Sequence, residues 1–380
     1  MKAATVLFLL HAAVTATSSI FNAPDALLFS ANDKDYDVPL PGYDRAADPD
    51  ILPDDATLTI PNEAPFLPEV NGCNGYVKYC NKRLSQVLWM GAHNSLTDVG
   101  FAVQRNQFVD GPRLLDAGVR YFDIDTCAYM KHGQRVSPMV CHGDVWWRTL
   151  VYQPTHDGLR LIRAWMESHP REVIFLNFGD IDDFTALNDH GEATSTDRLR
   201  QELVPVLRSV FQDMVVLRND PSDNATHADT ATLQDLITAN RRVVVTIGKG
   251  RSESSLYWSQ DDLVCNGEWY PTSLQLDWTK FNYDWKPVYN YIDEHMRAPC
   301  QHTQVINKLE FEFHTALGGT IDSNHVGQAL ASYMQDLEAN NGRANAPPYF
   351  PFNMVLTDHS DKWAGYYPQW HATHLRFLGD

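Results

Sequence analysis

Short apolar runs that each end in polar or ionisable residues are the feature that most constrains the fold of this chain. Amphipathic segments, of which Leu159–Ser168 and Val326–Leu337 are the clearest, lie between several of the runs. Strands that alternate with helices predict a mainly parallel sheet. The seven runs are Val87–Ala92, Val119–Phe122, Pro138–Cys141, Val173–Asn177, Arg242–Ile247, Lys308–Phe313 and Asn353–Thr357.

These runs predict an α/β fold of one kind, an irregular TIM-type β/α barrel in a single domain. A further strand is expected within Leu256–Trp285. The connection Asp125–Pro138 is too short for a crossover helix, which makes the barrel irregular at that point. Because such barrels carry their chemistry at the C-terminal ends of the strands, the polar residues that follow the runs predict one shared site.

The N-terminal region predicts export. Residues 1–16 combine Lys2, the apolar stretch Thr5–Ala13 and a small-residue cleavage site, which is typical of a signal peptide; a buried N-terminal strand is the alternative. Residues 17–72 are rich in Asp and Pro without a helical or strand period, which predicts an extended arm or a removable pro-segment. Residues 73–380 then form the barrel, and we expect a secreted protein.

The cysteines agree with an oxidising compartment. An even number of six cysteines behind a signal peptide predicts three disulfides. The spacing favours Cys73–Cys80, Cys127–Cys141 and Cys265–Cys300, although six cysteines permit about 15 pairings. Asn224 lies in an Asn-Ala-Thr sequon and is the predicted glycosylation site.

The charge of the chain limits its partners. A formal net charge of −18 repels nucleic acid and opposes adsorption to anionic membranes. We therefore expect no nucleic-acid partner, unless a local basic patch overrides the global sign.

Two histidines stand at predicted strand ends. His93 follows Val87–Ala92, and His142 follows Pro138–Cys141. A lone histidine in such a place is more often structural, but two that face one barrel mouth suit paired acid and base work, because an ordinary imidazole pKa is near neutrality.

Two aspartates lie between the histidines. The spacing of Asp123 and Asp125 places both side chains on one face of a strand. Two close carboxylates repel each other unless a cation or a shared proton offsets them, and Ca²⁺ with its oxygen ligands fits, with the carbonyl of Asn94 as a further ligand. The alternative is that one aspartate pairs with Arg120 and the other is solvated.

Four motifs in order carry a family resemblance: GAHNSLTDVG, LLDAGVRYFDID, VCHGD and PREVIFLNFGD. Together they resemble the X-region of phosphatidylinositol-specific phospholipase C, well from Leu88 to about Asp183 and more weakly to Trp363. The resemblance implies that His93 and His142 are the catalytic histidines.

The same resemblance implies a metal shell. Asn94, Asp123 and Asp125 match ligands of the calcium-dependent eukaryotic branch, whereas the metal-free bacterial branch has an arginine where Asp125 stands. The chain departs from the pattern where a glutamate ligand is expected, because Gly179 or Phe178 falls near that position and Asp180 is the nearest carboxylate.

Two more residues are matched outside these motifs. Asp358 resembles the aspartate that orients the first histidine, which would set the tautomer of His93 and stabilise its charged form. Lys249 loosely matches a basic position that contacts substrate.

The expected protein is a secreted, monomeric phosphodiesterase that acts on a phospholipid headgroup with Ca²⁺ and makes transient contact with membrane surfaces. The alternatives are a sphingomyelinase D-like enzyme, a hydrolase of soluble phosphodiesters, and a non-catalytic secreted barrel that binds a ligand.

Overall fold

The computed structural model describes residues 68–99, 105–143, 145–216, 230–248, 264–266, 270–271, 306–312, 330–336, 339 and 352–378. The predicted signal peptide lies outside the described residues, as does the 17–72 segment up to residue 67. Asn224, Lys249 and Cys300 also lie outside them, so the predictions made for these three residues stay predictions.

The larger of two sheets is parallel throughout and has 8 strands. Its order is β10-β11-β12-β1-β2-β6-β8, with β9 also paired to β11. Four strands lie outside it. The twelve strands are β1 (Trp89–Ala92), β2 (Tyr121–Asp123), β3 (Thr126–Lys131), β4 (Gln134–His142), β5 (Leu150–Pro154), β6 (Ile174–Phe178), β7 (Ile181–Asp183), β8 (Val243–Ile247), β9 (Val264–Asn266), β10 (Tyr270–Pro271), β11 (Ile306–Glu312) and β12 (Met354–Thr357).

Helices separate many of these strands. They are α1 (Gly111–Asp116), α2 (Thr155–Ser168), α3 (Asp197–Phe211), α4 (Leu233–Thr238) and α5 (Tyr367–Phe377). The predicted helix at Leu159–Ser168 is present as α2, which begins four residues earlier. Residues 330–336, within the predicted helix Val326–Leu337, are helical. None of the helices in the described ranges is long and apolar enough to cross a membrane.

The predicted fold class is confirmed, because parallel strands joined through helices form a curled α/β sheet of the barrel type. Strands β1, β6 and β8 of this sheet are buried along their whole length. The strand expected within Leu256–Trp285 is present as the two short strands β9 and β10, which both pair with β11.

The second sheet corrects one prediction. Pro138–Cys141 was expected to be a barrel strand, but these residues belong to β4 in a small sheet of order β5-β4-β3-β7. The reason is local: β3 and β4 are joined by the two-residue turn His132-Gly133, both with positive φ (48° and 75°), which makes an antiparallel hairpin. The irregularity predicted for the Asp125–Pro138 connection is this hairpin.

Three buried side chains form hydrogen bonds between the N-terminal and the C-terminal parts of the described chain. The Tyr79 hydroxyl contacts Nδ1 of His371 at 2.9 Å and Nδ1 of His374 at 3.0 Å. All three side chains are buried, and both histidines lie on α5. Burial lowers the pKa of His374 to about 3 and that of His371 well below its ordinary value.

Candidate active site

His93 and Asp358 lie side by side because their strands are in register. Strand β1 pairs with β12 so that Ala92 is opposite Thr357, and the next residue of each strand is His93 or Asp358. Nδ1 of His93 lies 2.8 Å from Oδ1 of Asp358, and both side chains are buried. The structure thus brings together the pair in which Asp358 was predicted to orient the first histidine.

Asp123 and Asp125 share a small space at the end of the neighbouring strand β2. A Cβ atom added at Gly179 would lie 3.1 Å from Oδ1 of Asp123 and 3.9 Å from Oδ1 of Asp125, so both carboxylates reach the same point. Arg120, the alternative partner for an aspartate, instead donates to Glu172 at 2.8 Å. Arg120 therefore forms its ion pair with Glu172 and not with Asp123 or Asp125.

Asp123 has a strongly raised pKa. Burial, reinforced by the charge of Asp125, raises the pKa of Asp123 to about 7, although Lys308 and His93 act in the opposite direction. Its Oδ1 accepts a hydrogen bond from Nδ2 of Asn177, whose Oδ1 in turn accepts from Thr246. A carboxylate that is hard to ionise beside a second one is an arrangement that a cation would stabilise.

His142 lies nearer to solvent than His93. It ends β4, its side chain is 35% exposed, and its Nδ1 lies 3.4 Å from Oδ2 of Asp125. The same Nδ1 lies 2.9 Å from Nδ2 of Asn94. The disulfide Cys127–Cys141 joins β3 to β4 immediately before His142.

Asn94 leaves one polar atom without a partner. Asn94 is buried and its backbone φ is 44°. Its side-chain Oδ1 makes no hydrogen bond within the described part of the chain. A buried amide oxygen without a donor is uncommon and calls for an explanation. A hard cation beside Asp123 and Asp125 would explain it, because Ca²⁺ binds amide and carboxylate oxygens.

Glu310 is a site residue that the sequence reasoning missed. One ligand atom from each of His93, Asp123 and Glu310 lies within 4.8 Å of the others, and Glu310 is buried. Lys308 lies on the same face of β11, with Nζ 2.5 Å from Oε2 of Glu310. The signal was present: polar Lys308 and Glu310 alternate with apolar residues, as expected for a strand whose one face lines a polar mouth.

Asn106 is the second missed residue. Its Nδ2 donates to Oδ1 of Asp358 at 2.9 Å, and its Oδ1 accepts from Nδ2 of Asn94 at 3.2 Å. Neither the spacing of Asn106 nor its neighbours in sequence distinguishes it from an ordinary loop asparagine.

The remaining predicted residues lie at or beyond the edge of the site. Asp180 is exposed, and it approaches Asp125 through its backbone N–H at 3.4 Å rather than through its carboxylate. The predicted disulfide Cys73–Cys80 is present, with Arg171 beside both sulfur atoms. Cys265 lies in β9, but its predicted partner Cys300 is outside the described residues.

Sequence comparisons find relatives over the first half of the barrel. The PI-PLC X family model matches residues 79–265. A protein named PI-PLC X domain-containing protein 1 from Arthroderma benhamiae is 28% identical over 177 residues, which cover 46% of this chain and 50% of the relative. The human protein of the same name is 31% identical over 152 residues, which cover 40% of this chain and 38% of that protein. The chain thus spans half or less of the length of these relatives.

Structural comparisons extend further along the chain. A phosphatidylinositol-specific phospholipase C from Listeria monocytogenes superposes with a TM-score of 0.47 at 12% identity, over 75% of this chain and 94% of the other. A variant of the Staphylococcus aureus enzyme of the same name gives a TM-score of 0.45 at 14% identity, over 75% and 94%.

Proposed function

Because residues 79–265 of this chain belong to the PI-PLC X family, we propose that the protein is a phosphodiesterase that cleaves a phospholipid headgroup by histidine acid–base chemistry. The observation that carries the proposal is the pair of histidines, each beside its own carboxylate. His93 contacts Asp358, and His142 contacts Asp125. Asp123 and Asn94 link the two halves of the site.

The geometry supports an intramolecular attack. If the substrate carries a hydroxyl beside the phosphodiester, as an inositol headgroup does, that oxygen forms the new bond to phosphorus. His93 removes the hydroxyl proton with Nε2, because its Nδ1 is occupied by Asp358. His142 donates a proton to the leaving alcohol oxygen as its bond to phosphorus breaks. The products are an alcohol and a cyclic phosphodiester.

We propose Ca²⁺ as the cofactor, held by Asn94, Asp123 and Asp125 with Glu310 as a further carboxylate. The unpartnered Oδ1 of Asn94 and the raised pKa of Asp123 support this donor set. A bound Ca²⁺ supplies positive charge for the non-bridging phosphate oxygens. Glu310 is preferred to the earlier candidate Asp180, because Glu310 is buried beside Asp123 whereas Asp180 is exposed.

The calcium proposal predicts that replacing a ligand weakens Ca²⁺ binding, which can be measured without an activity assay. Asp125→Asn is expected to lower the Ca²⁺ affinity about tenfold or more, because the ligand charge falls by one. Isothermal titration calorimetry with calcium chloride measures this directly. Glu167→Gln is the matched control, since Glu167 lies on α2 with its side chain 58% exposed. Equal affinities in wild type and Asp125→Asn would rule out Asp125 as a ligand.

The assay that tests the function is release of phosphorylated headgroup from four substrates. They are phosphatidylinositol, glycosylated phosphatidylinositol, sphingomyelin and glycerophosphoinositol, each with Ca²⁺ and with a chelator. Cleavage of a lipid that the chelator abolishes is the expected result. Cleavage of glycerophosphoinositol alone would favour a soluble substrate, and no cleavage at all would favour a non-catalytic binding barrel.

We propose secretion and transient membrane contact together. Two disulfides fit an extracellular protein. Trp147, five residues after His142, is 49% exposed, and its ring packs over Gly191, where an added Cβ would lie only 1.9 Å from the ring. An exposed tryptophan five residues along the chain from His142 suits the water–lipid interface.

The proposed membrane contact predicts that removing the Trp147 ring weakens binding to lipid vesicles. Trp147→Ala is expected to reduce sedimentation with phosphatidylcholine vesicles, because the ring supplies apolar area to the interface. Leu161→Ala is the matched control, since Leu161 is also 49% exposed but lies on α2. With a net charge of −18, wild type is expected to bind anionic vesicles less than neutral ones. Equal losses in the two variants would remove Trp147 from the contact surface.

A further inference from the structure

One continuous chain of hydrogen bonds joins the two catalytic candidates through Asn106. From His93 it passes to Asp358, then through the side-chain amides of Asn106 and Asn94, and ends at Nδ1 of His142. The donor–acceptor distances along it are 2.8, 2.9, 3.2 and 2.9 Å. His93, Asp358, Asn106 and Asn94 are buried, which protects the bonds among these four from competition by water, whereas His142 is partly exposed.

The Asp358 carboxylate sets the direction of every bond in this chain. A carboxylate only accepts, so the amide nitrogen of Asn106, not its oxygen, faces Asp358. The oxygen of Asn106 must then face Asn94, which requires the amide nitrogen of Asn94 there. The second hydrogen on that nitrogen points to His142. Rotating either amide by half a turn would place two oxygens against each other.

We propose that Asn106 is a positioning residue that holds His93 and His142 in opposite tautomers. His93 carries its proton on Nδ1, donates it to Asp358, and presents a bare Nε2 that can accept a proton. Nδ1 of His142 has two neighbours, Nδ2 of Asn94 at 2.9 Å and Oδ2 of Asp125 at 3.4 Å. The shorter contact is the one with the amide donor, so neutral His142 accepts at Nδ1 and carries its proton on Nε2. The same orientation leaves Oδ1 of Asn94 without a protein partner.

The backbone around Asn106 is held in place independently of its side chain. Gln107 is fully buried, and its Nε2 donates to the carbonyls of His93 at 2.7 Å and Thr357 at 3.1 Å. The N–H of His359 donates to the Asn106 carbonyl at 2.8 Å. A change in the Asn106 side chain therefore leaves the ends of β1 and β12 joined.

The test is long-range ¹H–¹⁵N spectroscopy of protein labelled with ¹⁵N-histidine, at a pH where the imidazoles are neutral. The 15 histidines are resolved by comparison with His93→Gln and His142→Gln. The expected wild-type spectrum shows a protonated Nδ1 in His93 and a protonated Nε2 in His142. Neutral His142 with its proton on Nδ1 would overturn the proposal, and this result needs no variant at Asn106.

Asn106→Leu tests the residue itself, because leucine is similar in size but makes no hydrogen bond. His142 is expected to populate both tautomers in this variant, and kcat to fall about 10–100-fold with little change in KM. Asn353→Leu is the matched control: Asn353 is also buried with two hydrogen bonds, but at the opposite end of β12. Folded Asn106→Leu with wild-type tautomers would overturn the assignment.

This inference rests on the proposed function only for its catalytic consequence. The spectra need no substrate, so the two failures are distinguishable. Opposite tautomers in a protein that cleaves none of the four substrates would uphold the role of Asn106 and overturn the proposed function. Cleavage by a protein in which His93 and His142 share one tautomer would uphold the proposed function and overturn the role of Asn106.

Discussion

Replacing His142 by alanine is expected to lower turnover of the cleaved phosphodiester by about 10²–10⁴-fold, the usual contribution of a positioned acid or base. The leaving alcohol would then depart without the proton that His142 supplies beside Asp125. KM is expected to change little, since the acid acts mainly as the bond to phosphorus breaks. Initial rates of headgroup release under saturating substrate measure the effect.

The control for this variant is another histidine that is partly exposed. His156 lies on α2 with its side chain 42% exposed and contacts Asp157. His156→Ala is expected to keep wild-type turnover. A leaving group that needs no protonation, such as a nitrophenol, should recover much of the lost rate in His142→Ala. Near-normal turnover of the natural ester in that variant would exclude His142 as the acid.

Acidification is expected to destabilise the fold through the two histidines that contact Tyr79. His371 and His374 are buried and neutral when folded, with the pKa of His374 lowered to about 3. In the unfolded chain both take up protons near pH 6.5. Their stabilising contribution is therefore complete above about pH 6.5 and is lost as the pH falls towards 3, by up to about 2.7 kcal/mol per pH unit for the two together.

Urea unfolding at pH 7.5 and pH 5.0 under non-reducing conditions measures this loss. The two histidines are expected to remove about 4 kcal/mol of unfolding free energy between these values. His374→Asn should reduce the pH slope by about 1.4 kcal/mol per unit, because one proton fewer is taken up on unfolding. His156→Gln should leave the slope unchanged. An unaltered slope in His374→Asn would contradict a neutral, buried His374.

The structure places residues from the four motifs close together, as their positions at strand ends predict. His93 and Asp125 come just after buried strands, Asp123 ends one, and the period of a strand predicts which way their side chains point. The disulfides at Cys73–Cys80 and Cys127–Cys141 join cysteines that are also near in sequence. Local spacing was sufficient for these features because the geometry of a single strand or hairpin determines them.

The element that carries His142 was predicted wrongly. The run Pro138–Cys141 has the apolar character of a barrel strand, but it pairs antiparallel with β3 and β5. Apolar character predicts burial, whereas the direction of pairing depends on the connection, and the turn at His132-Gly133 reverses the chain. His142 therefore reaches Asp125 from the small sheet.

The strand-end pattern and the motifs in the sequence alone predicted the fold class, the family resemblance and the contact between His93 and Asp358. Only the tertiary structure brought Glu310 and Asn106 to the site. Asn106 is separated from Asp358 by 252 residues, and their contact depends on the register between β1 and β12. Register and amide orientation are set by hydrogen bonds between distant segments, and no spacing along the chain encodes those bonds.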